Sequence, residues 1–344
     1  MSLALDIGSS GLRSLHRIGP ALRGRQTPAV YLTLPMEPAE RRLLEQLCVP
    51  FSACEDSYVV VGAHAVELAQ ALKLPLAPVL PGGRLTEHDP LGRQIAATLI
   101  EALIPQQGIR ATTAGVIIPA NPGSLNPAGD ALFSFLQRLL ALRGYRALAV
   151  HAGRACVLAE LEDQGFTGIG FVAGSAATSM AIALNGRPLF EGTVRRGSDQ
   201  IDEAFARSRG CFLFDRSGNR YLDLAAVARW RMAEPINLAA PRTPDEELLS
   251  SLFREWLNSA CRSFAQQMRD AGTRLDVSEP LTLVTGGGPA RMTGFERLAA
   301  EALRRAEIPV TLGEVRVGRS SEFTLVRGCL IAAEMELRAA ARSA

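Results

Sequence analysis

The sequence predicts an α/β protein of two lobes, and three observations predict it. Apolar strands alternate with amphipathic helices along most of the chain, the pattern of mostly parallel sheets covered on both faces with antiparallel hairpins at an edge. Two strand–turn–strand units with small-residue turns lie about 165 residues apart, one at Asp6 and one before Gly174. A third apolar strand, Leu283-Val284-Thr285, runs into Gly286-Gly287-Gly288-Pro289 and a helical stretch from Ala290 to Arg305. At 344 residues the chain is long enough for two lobes, each with its own core.

Taken in order, strands near 2–6 and 11–16 open the first lobe. A strand from Ala29 to Leu34, a helix from Glu37 to Leu47, a strand from Tyr58 to Val61 and a helix from Ala63 to Leu72 follow. Pro75, Pro78, Pro81, Gly82 and Gly83 then break the chain as a returning loop would. Helix is expected from Pro90 to Leu103, strand from Thr113 to Ile118, helix from Pro127 to Leu142 and strand from Ala147 to Val150. The second lobe begins near Phe166, with helices from Gln200 to Arg207 and Leu222 to Met232. The clearest helix runs from Thr243 to Arg269: Thr243 caps, Pro244 suits the first turn and Glu246 completes a capping box. Its Leu249, Leu252, Phe253, Trp256, Leu257, Ala260, Phe264 and Met268 make one apolar stripe at helical spacing, which reads as core. A last helix runs from Phe323 to Ala340.

Three segments carry chemistry. In Leu3-Ala4-Leu5-Asp6-Ile7-Gly8-Ser9-Ser10-Gly11-Leu12-Arg13, a strand delivers Asp6 into a Gly/Ser turn. The N–H groups of Ser9 to Leu12, the two hydroxyls and the Arg13 guanidinium can hold phosphates there. Asp6 suits a hydrated magnesium ion, which keeps most of its waters and touches few carboxylates. Gly170 to Ala181 repeats the plan, with Gly174, Ser175 and Ala176 at the turn. At Gly286, Gly287, Gly288 and Pro289 the bare backbone lets a flat ligand lie against the chain, and a helix start adds N–H groups and a positive dipole end. Each segment alone also reads as an ordinary tight turn.

Together, these segments resemble the actin-like ATPase superfamily, most closely the bacterial actins of the MreB and MamK type. Tyr58 to Ala65 looks like the strand-to-helix turn of a small upper subdomain. Ala114 to Pro119 looks like the strand before the long helix of the first lobe. Val194 to Glu203 looks like the segment beside the ribose, and Phe323 to Cys329 like the hinge helix. The resemblance implies an actin-like (ribonuclease H-like) duplicated fold, two lobes around a nucleotide cleft. Residues 1–155 and 320–344 make the first lobe, with an upper subdomain at about 27–84. Residues 156–319 make the second, with an upper subdomain at about 200–270. It implies ATP or ADP with Mg²⁺ as ligand, phosphates between the two hairpins, adenosine at the glycine corner, and Asp202 and Glu203 beside the ribose.

The same resemblance marks two departures. The family's second hairpin begins with an Asp that reaches the metal and the attacking water, and Phe171 stands in that place. A Glu or Gln that orients the water is replaced by Ala152 or, one residue off, His151. Loss of both groups implies slow or absent hydrolysis, because phosphoryl transfer depends on charge placed around metal and water.

The expected function is that of an actin-like nucleotide-binding protein, its lobe angle controlling self-assembly into protofilaments or docking to a protein adaptor. A small-molecule kinase of the same superfamily is one alternative, but no general base or substrate insert is evident. A non-polymerising actin-like adaptor is the other, against which the upper subdomain at about 27–84 speaks. A chaperone-like module would need a further peptide-binding domain. A net charge of +2 gives no electrostatic case for nucleic acid. Lys73 is the only lysine, which leaves no other position for lysine-based chemistry. The six cysteines and the histidines His16, His64, His88 and His151 show no metal-ligand spacing. Glu87-His88-Asp89 reads as a polar helix entry. Without a signal peptide, N-terminal amphipathic helix or membrane-length apolar run, a cytoplasmic protein with no membrane anchor is expected.

Overall fold

The computed structural model describes residues 2–343 except 87–88, 106–111, 120–129, 215–217, 274, 276, 278 and 319–321. Strands β1 (Ser2–Ile7), β2 (Gly11–Ile18) and β3 (Ala21–Pro28) form an antiparallel meander. A small unit is inserted next: β4 (Val30–Pro35), α1 (Pro38–Gln46), β5 (Ser52–Cys54), β6 (Ser57–Val61), α2 (Gly62–Leu72) and β7 (Ala77–Pro78), its sheet ordered β5-β6-β4-β7. The chain returns through α3 (Pro90–Leu103), β8 (Thr112–Ile117), α4 (Ala131–Leu142) and β9 (Tyr145–Ala149), completing a sheet ordered β3-β2-β1-β8-β9.

After α5 (Ala152–Glu160) the plan repeats. Strands β10 (Gly168–Ala173), β11 (Thr178–Leu184) and β12 (Arg187–Val194) form the second meander. A small insertion comprises α6 (Ser198–Arg209), the ribbon β13 (Phe212–Phe214) and β14 (Arg220–Leu222), and α7 (Leu224–Ala233). Then come α8 (Pro244–Asp270), β15 (Leu281–Gly286), α9 (Phe295–Arg305), β16 (Leu312–Val317) and α10 (Thr324–Ser343). The second sheet is ordered β12-β11-β10-β15-β16, the topology of the first.

The inner strands β1, β10 and β15 are buried on both faces, as their near-continuous apolar runs require. Leu3, Leu5 and Ile7 pack against Ile95, Leu99 and Leu136 of α3 and α4. Across the second sheet, Phe171 packs against Phe253, Trp256 and Phe264 of α8 and Phe295 of α9. Each such fully buried aromatic contributes about 1.5–3 kcal/mol of transfer free energy. The facing sides are closed by an exchange of helices. Helix α5 follows the last strand of the first sheet but sets Cys156 and Val157 against Val172 and Val284 of the second. Helix α10 follows the last strand of the second but sets Cys329 and Leu330 against Ala4 and Leu15 of the first. The two helices touch where a Cβ at Gly328 would overlap the Ala155 carbonyl. Arg327 anchors the crossing, donating to Glu160 and to the Ala159 carbonyl at 2.8 Å.

Local signals explain most boundaries. In α8 the Thr243 hydroxyl accepts the Glu246 N–H at 3.2 Å, and the Glu246 carboxylate accepts the N–H of Arg242, one residue before the cap, at 2.8 Å. Asp130 caps α4 through the N–H groups of Leu132 and Phe133. The Pro127 start expected for that helix, and the Glu87-His88 pair, lie outside the described residues. The expected helix from Ala290 is corrected. Pro289–Arg291 form a single 3₁₀ turn, the Leu238 N–H bonds the Thr293 carbonyl at 2.9 Å, and Gly294 takes φ 83° before α9 starts at Phe295. Among the described residues, no helix is long and apolar enough to cross a membrane.

Candidate functional site

The two repeated hairpins meet at their tips. The first turn is closed by the Gly8 N–H on the Gly11 carbonyl at 3.1 Å, and the second by the Gly174 N–H on the Ala177 carbonyl at 2.9 Å. Between them, the Ser9 and Ser175 hydroxyl oxygens lie 2.5 Å apart. Ser10 is exposed, and its carbonyl accepts the Ala29 N–H, tying the first small insertion to this turn. The return from that insertion reaches the other turn, since a Cβ at Gly83 would lie 3.4 Å from the Ala176 methyl. Leu12 contributes main chain only: its side chain is fully buried in the first core.

The second turn is held from beneath by α6. The N–H groups of Ser198 and Asp199 donate to the Gly174 and Ser175 carbonyls at 3.0 Å, and side-chain-free Gly197 lies against both. These amides at the α6 start are engaged by protein carbonyls. Asp202 is nearly buried and pairs with Arg231 of α7 at 2.8 Å; burial raises its carboxyl to about 6, and Arg231 opposes that shift. Glu203 pairs with Arg207 at 3.1 Å on the helix surface. Both expected ribose residues are therefore engaged within α6 and α7.

Asp6 is buried opposite Arg13, whose Nη1 lies 3.5 Å from the carboxylate. Burial pushes the Asp6 carboxyl above its ordinary value, and the guanidinium partly reverses this. The Arg13 Nε is buried without a hydrogen-bond partner, an unusual donor to leave bare. Arg13 also faces Glu322, whose carboxyl is held below its ordinary value first by the Gln26 amide and also by Arg13 and Arg291. Among the described residues no three His, Cys, Asp or Glu side chains group as a metal site, so Asp6 stands as a single carboxylate.

The glycine corner abuts the second hairpin. Gly287 takes φ 92°, and a Cβ there would overlap the Ala173 carbonyl, so glycine at 287 is demanded by strand packing. Gly286 and Pro289 are buried. Gly288 is exposed, with open space where its Cβ would be, and is the residue of the corner that leaves room beside its backbone.

The register corrects the assignment of Phe171. Asp6 faces Arg13 in β2 and Ile117 in β8, while Val172 faces Ser179 in β11 and Gly286 in β15. With Gly8 and Gly174 opening equivalent turns, the counterpart of Asp6 is Val172. Phe171 points the other way, into the α8–α9 core, 6.1 Å from the Phe264 ring. A strand's side chains alternate faces, so an error of one residue inverts the reading. Ala152 is the first residue of α5 and offers only a methyl group, while His151 caps that helix. The His151 Nδ1 accepts the Gly153 N–H at 3.2 Å; Nε2 lies 3.2 Å from the Gly192 carbonyl and 3.1 Å from the Thr193 hydroxyl. These partners assign the proton to Nε2. Burial pushes His151 down to about 4, and the Gly192 carbonyl opposes it. A neutral imidazole with both nitrogens engaged does not orient a water.

Val172 and Glu322 escaped the sequence reading, and Gly197 and Ser198 were read only as part of the segment beside the ribose, not as the support of the second turn. Val172 shows itself only once both hairpins are aligned in register, and Glu322 meets Arg13 only through the fold. The assembled residues can bind an anion and a cation; they offer no free general base.

Comparison with known proteins agrees with the topology. A family model described as Volactin matches residues 1–333. Among solved structures, a MamK double helical filament is 16% identical with a TM-score of 0.67, covering 97% of this chain and 99% of that one. MreB 5 of Spiroplasma citri bound to AMPPNP is 11% identical with a TM-score of 0.62, covering 100% and 98%. The same protein bound to ADP is 11% identical with a TM-score of 0.59, covering 97% and 96%. No curated protein matches. The chain has the actin-like fold.

Proposed function

The chain belongs to the Volactin family, and from that premise we propose that it is an actin-like cytoskeletal protein. In this reading it binds a magnesium nucleotide between its hairpin tips, hydrolyses it slowly or not at all, and assembles with copies of itself. The observation that carries the reading is the meeting of Ser9 with Ser175, with Asp6 and Arg13 behind one tip and the open Gly288 corner beside the other. The residues fit the ligand. The bare Arg13 Nε suits a phosphate oxygen, the desolvated Asp6 carboxylate suits a hydrated cation, and the Gly288 backbone suits a flat base. Nucleotide-bound relatives of the same fold, MreB 5 with AMPPNP and with ADP, support the ligand class. The filament formed by MamK supports self-association.

When bound, the magnesium nucleotide supplies the multivalent charge that both tips can share. Ser9, Ser10 and Gly11 offer turn amides and hydroxyls, Arg13 a fixed cation, and Asp6 the carboxylate for metal-bound water. Gly174, Ser175 and Ala176 offer the opposing turn. Val172 and His151 leave no charged group to activate water, which supports binding without rapid turnover.

Residues 1–155 with 320–344 and residues 156–319 are the two lobes of this reading. The first upper part is at about 27–84. The second narrows to Ser198–Ala233, because α8 buries its apolar stripe in the sheet core. Sedimentation and negative-stain imaging of the full chain with and without Mg-ATP test the proposal. Nucleotide-dependent filaments are expected; monomers under every condition would overturn the assembly reading.

A further inference from the structure

The second half carries an exposed aromatic side chain and, elsewhere, a matching hollow. Phe214 ends β13 with 64% of its surface exposed, whereas Phe212, two residues earlier on the same face, lies 4.5 Å beneath the Arg220 guanidinium. The hollow, about 330 Å³, lies between β10, β11, the end of α9 and the start of β16. Ile169, Met180 and Leu303 make its buried floor, Ile308 and Leu312 its walls, and Arg304 is part of its lining. Ile169 lies at the start of β10 and Leu312 at the start of β16, so the hollow sits at the end of the sheet remote from the Gly174 turn. Phe214 follows α6, which starts at that turn.

We propose that Phe214 of one copy of this chain inserts into the Ile169–Leu303–Leu312 hollow of the next. The inference rests on the self-assembly reading above and names the contact through which it acts. The volume exceeds that of a benzene-sized cavity of about 150 Å³, so it accommodates a phenyl ring. Six of the eight lining residues are apolar, and the exposed Arg304 offers a guanidinium to a ring face, as Arg220 does to Phe212. Knob and hollow are different patches of one molecule, so their pairing is heterologous. It leaves a free knob at one end and a free hollow at the other, and repeats as an open chain unless the rotation closes it.

The test uses the full chain with Phe214→Asp and Thr311→Arg, both exposed positions whose replacement leaves the core intact. Each is expected to raise the concentration needed for sedimentation with Mg-ATP by at least about tenfold, the effect of losing a central aromatic anchor. In parallel, Phe214→Cys and Thr311→Cys chains in a Cys48→Ser background are mixed with a short bis-maleimide. Cross-linked pairs are expected from the mixture and from neither chain alone. Unchanged sedimentation of both charged variants, or no cross-link in the mixture while the wild type assembles, overturns the contact and leaves self-assembly standing. A mixture-specific cross-link without sedimentable wild-type polymer supports the contact and overturns the polymer. Absence of both overturns both.

Discussion

Asp6 and Val172 hold equivalent places in the two hairpins, yet only one can carry charge. Val172→Asp should therefore add a second carboxylate at the tips and raise phosphate release from Mg-ATP by about tenfold or more, at a stability cost of roughly 1–3 kcal/mol for a buried polar group. Phe171→Asp should instead prevent folding, since losing a core aromatic costs about 3–5 kcal/mol before the buried charge is counted, against a total of about 5–15. Phosphate assays and melting curves on the two variants separate the positions; equal behaviour would refute the register assignment. His151 sets a pH limit. Its proton affinity falls from 6.5 in the unfolded chain to about 4 in the fold, so the native state refuses a proton that the unfolded state takes. The stability from this group is whole above pH 6.5 and is lost as pH falls from 6.5 towards 4. Denaturation at several pH values should show a shallower acid loss for His151→Gln than for wild type; parallel curves would remove His151 from the account.

The elements differ in how plainly the sequence announces them. Helix α8 was legible from end to end because cap, proline, acidic first turn and apolar stripe agree. Strand β3 was invisible: Ala21 to Gln26 are all exposed, so no alternation of apolar residues marks them. The glycine corner was found but misread in detail. Gly287 looked like ligand access and is a packing requirement, whereas Gly288 faces open space. Gly288→Val should accordingly weaken ATP binding by at least about tenfold with little change in melting temperature, while Gly287→Val should fail to fold. Normal ATP affinity in a folded Gly288→Val protein would remove the corner from the site. The crossing of α5 and α10 is set by Gly328, which the sequence reading placed in the hinge helix without revealing what it touches. Gly328→Ala forces a methyl group onto the Ala155 carbonyl and should cost about 1–3 kcal/mol in urea unfolding. An unchanged midpoint would show that the crossing is loose.

At the scale of the molecule, two sheets of one topology exchange helices, and the exchange brings their turn ends together. Duplication was legible in the paired hairpins. Within the exchange, the return of α10 to the first sheet was expected from the resemblance, which assigned 320–344 to the first lobe. The docking of α5 on the second sheet was not, because nothing in its own sequence says which sheet its apolar face will meet. Convergence follows from it: Ser9 meets Ser175 although 166 residues separate them, and the glycine corner lies against the same turn. The central claim is that this meeting point is a magnesium–nucleotide site anchored by Asp6. Equilibrium titration of ATP into wild type and Asp6→Ala, with magnesium and with chelator, tests it most directly. Wild-type binding should weaken on chelation, and the variant should lose at least about tenfold, the size expected when a charged partner is removed. Equal affinities in all four titrations would contradict it.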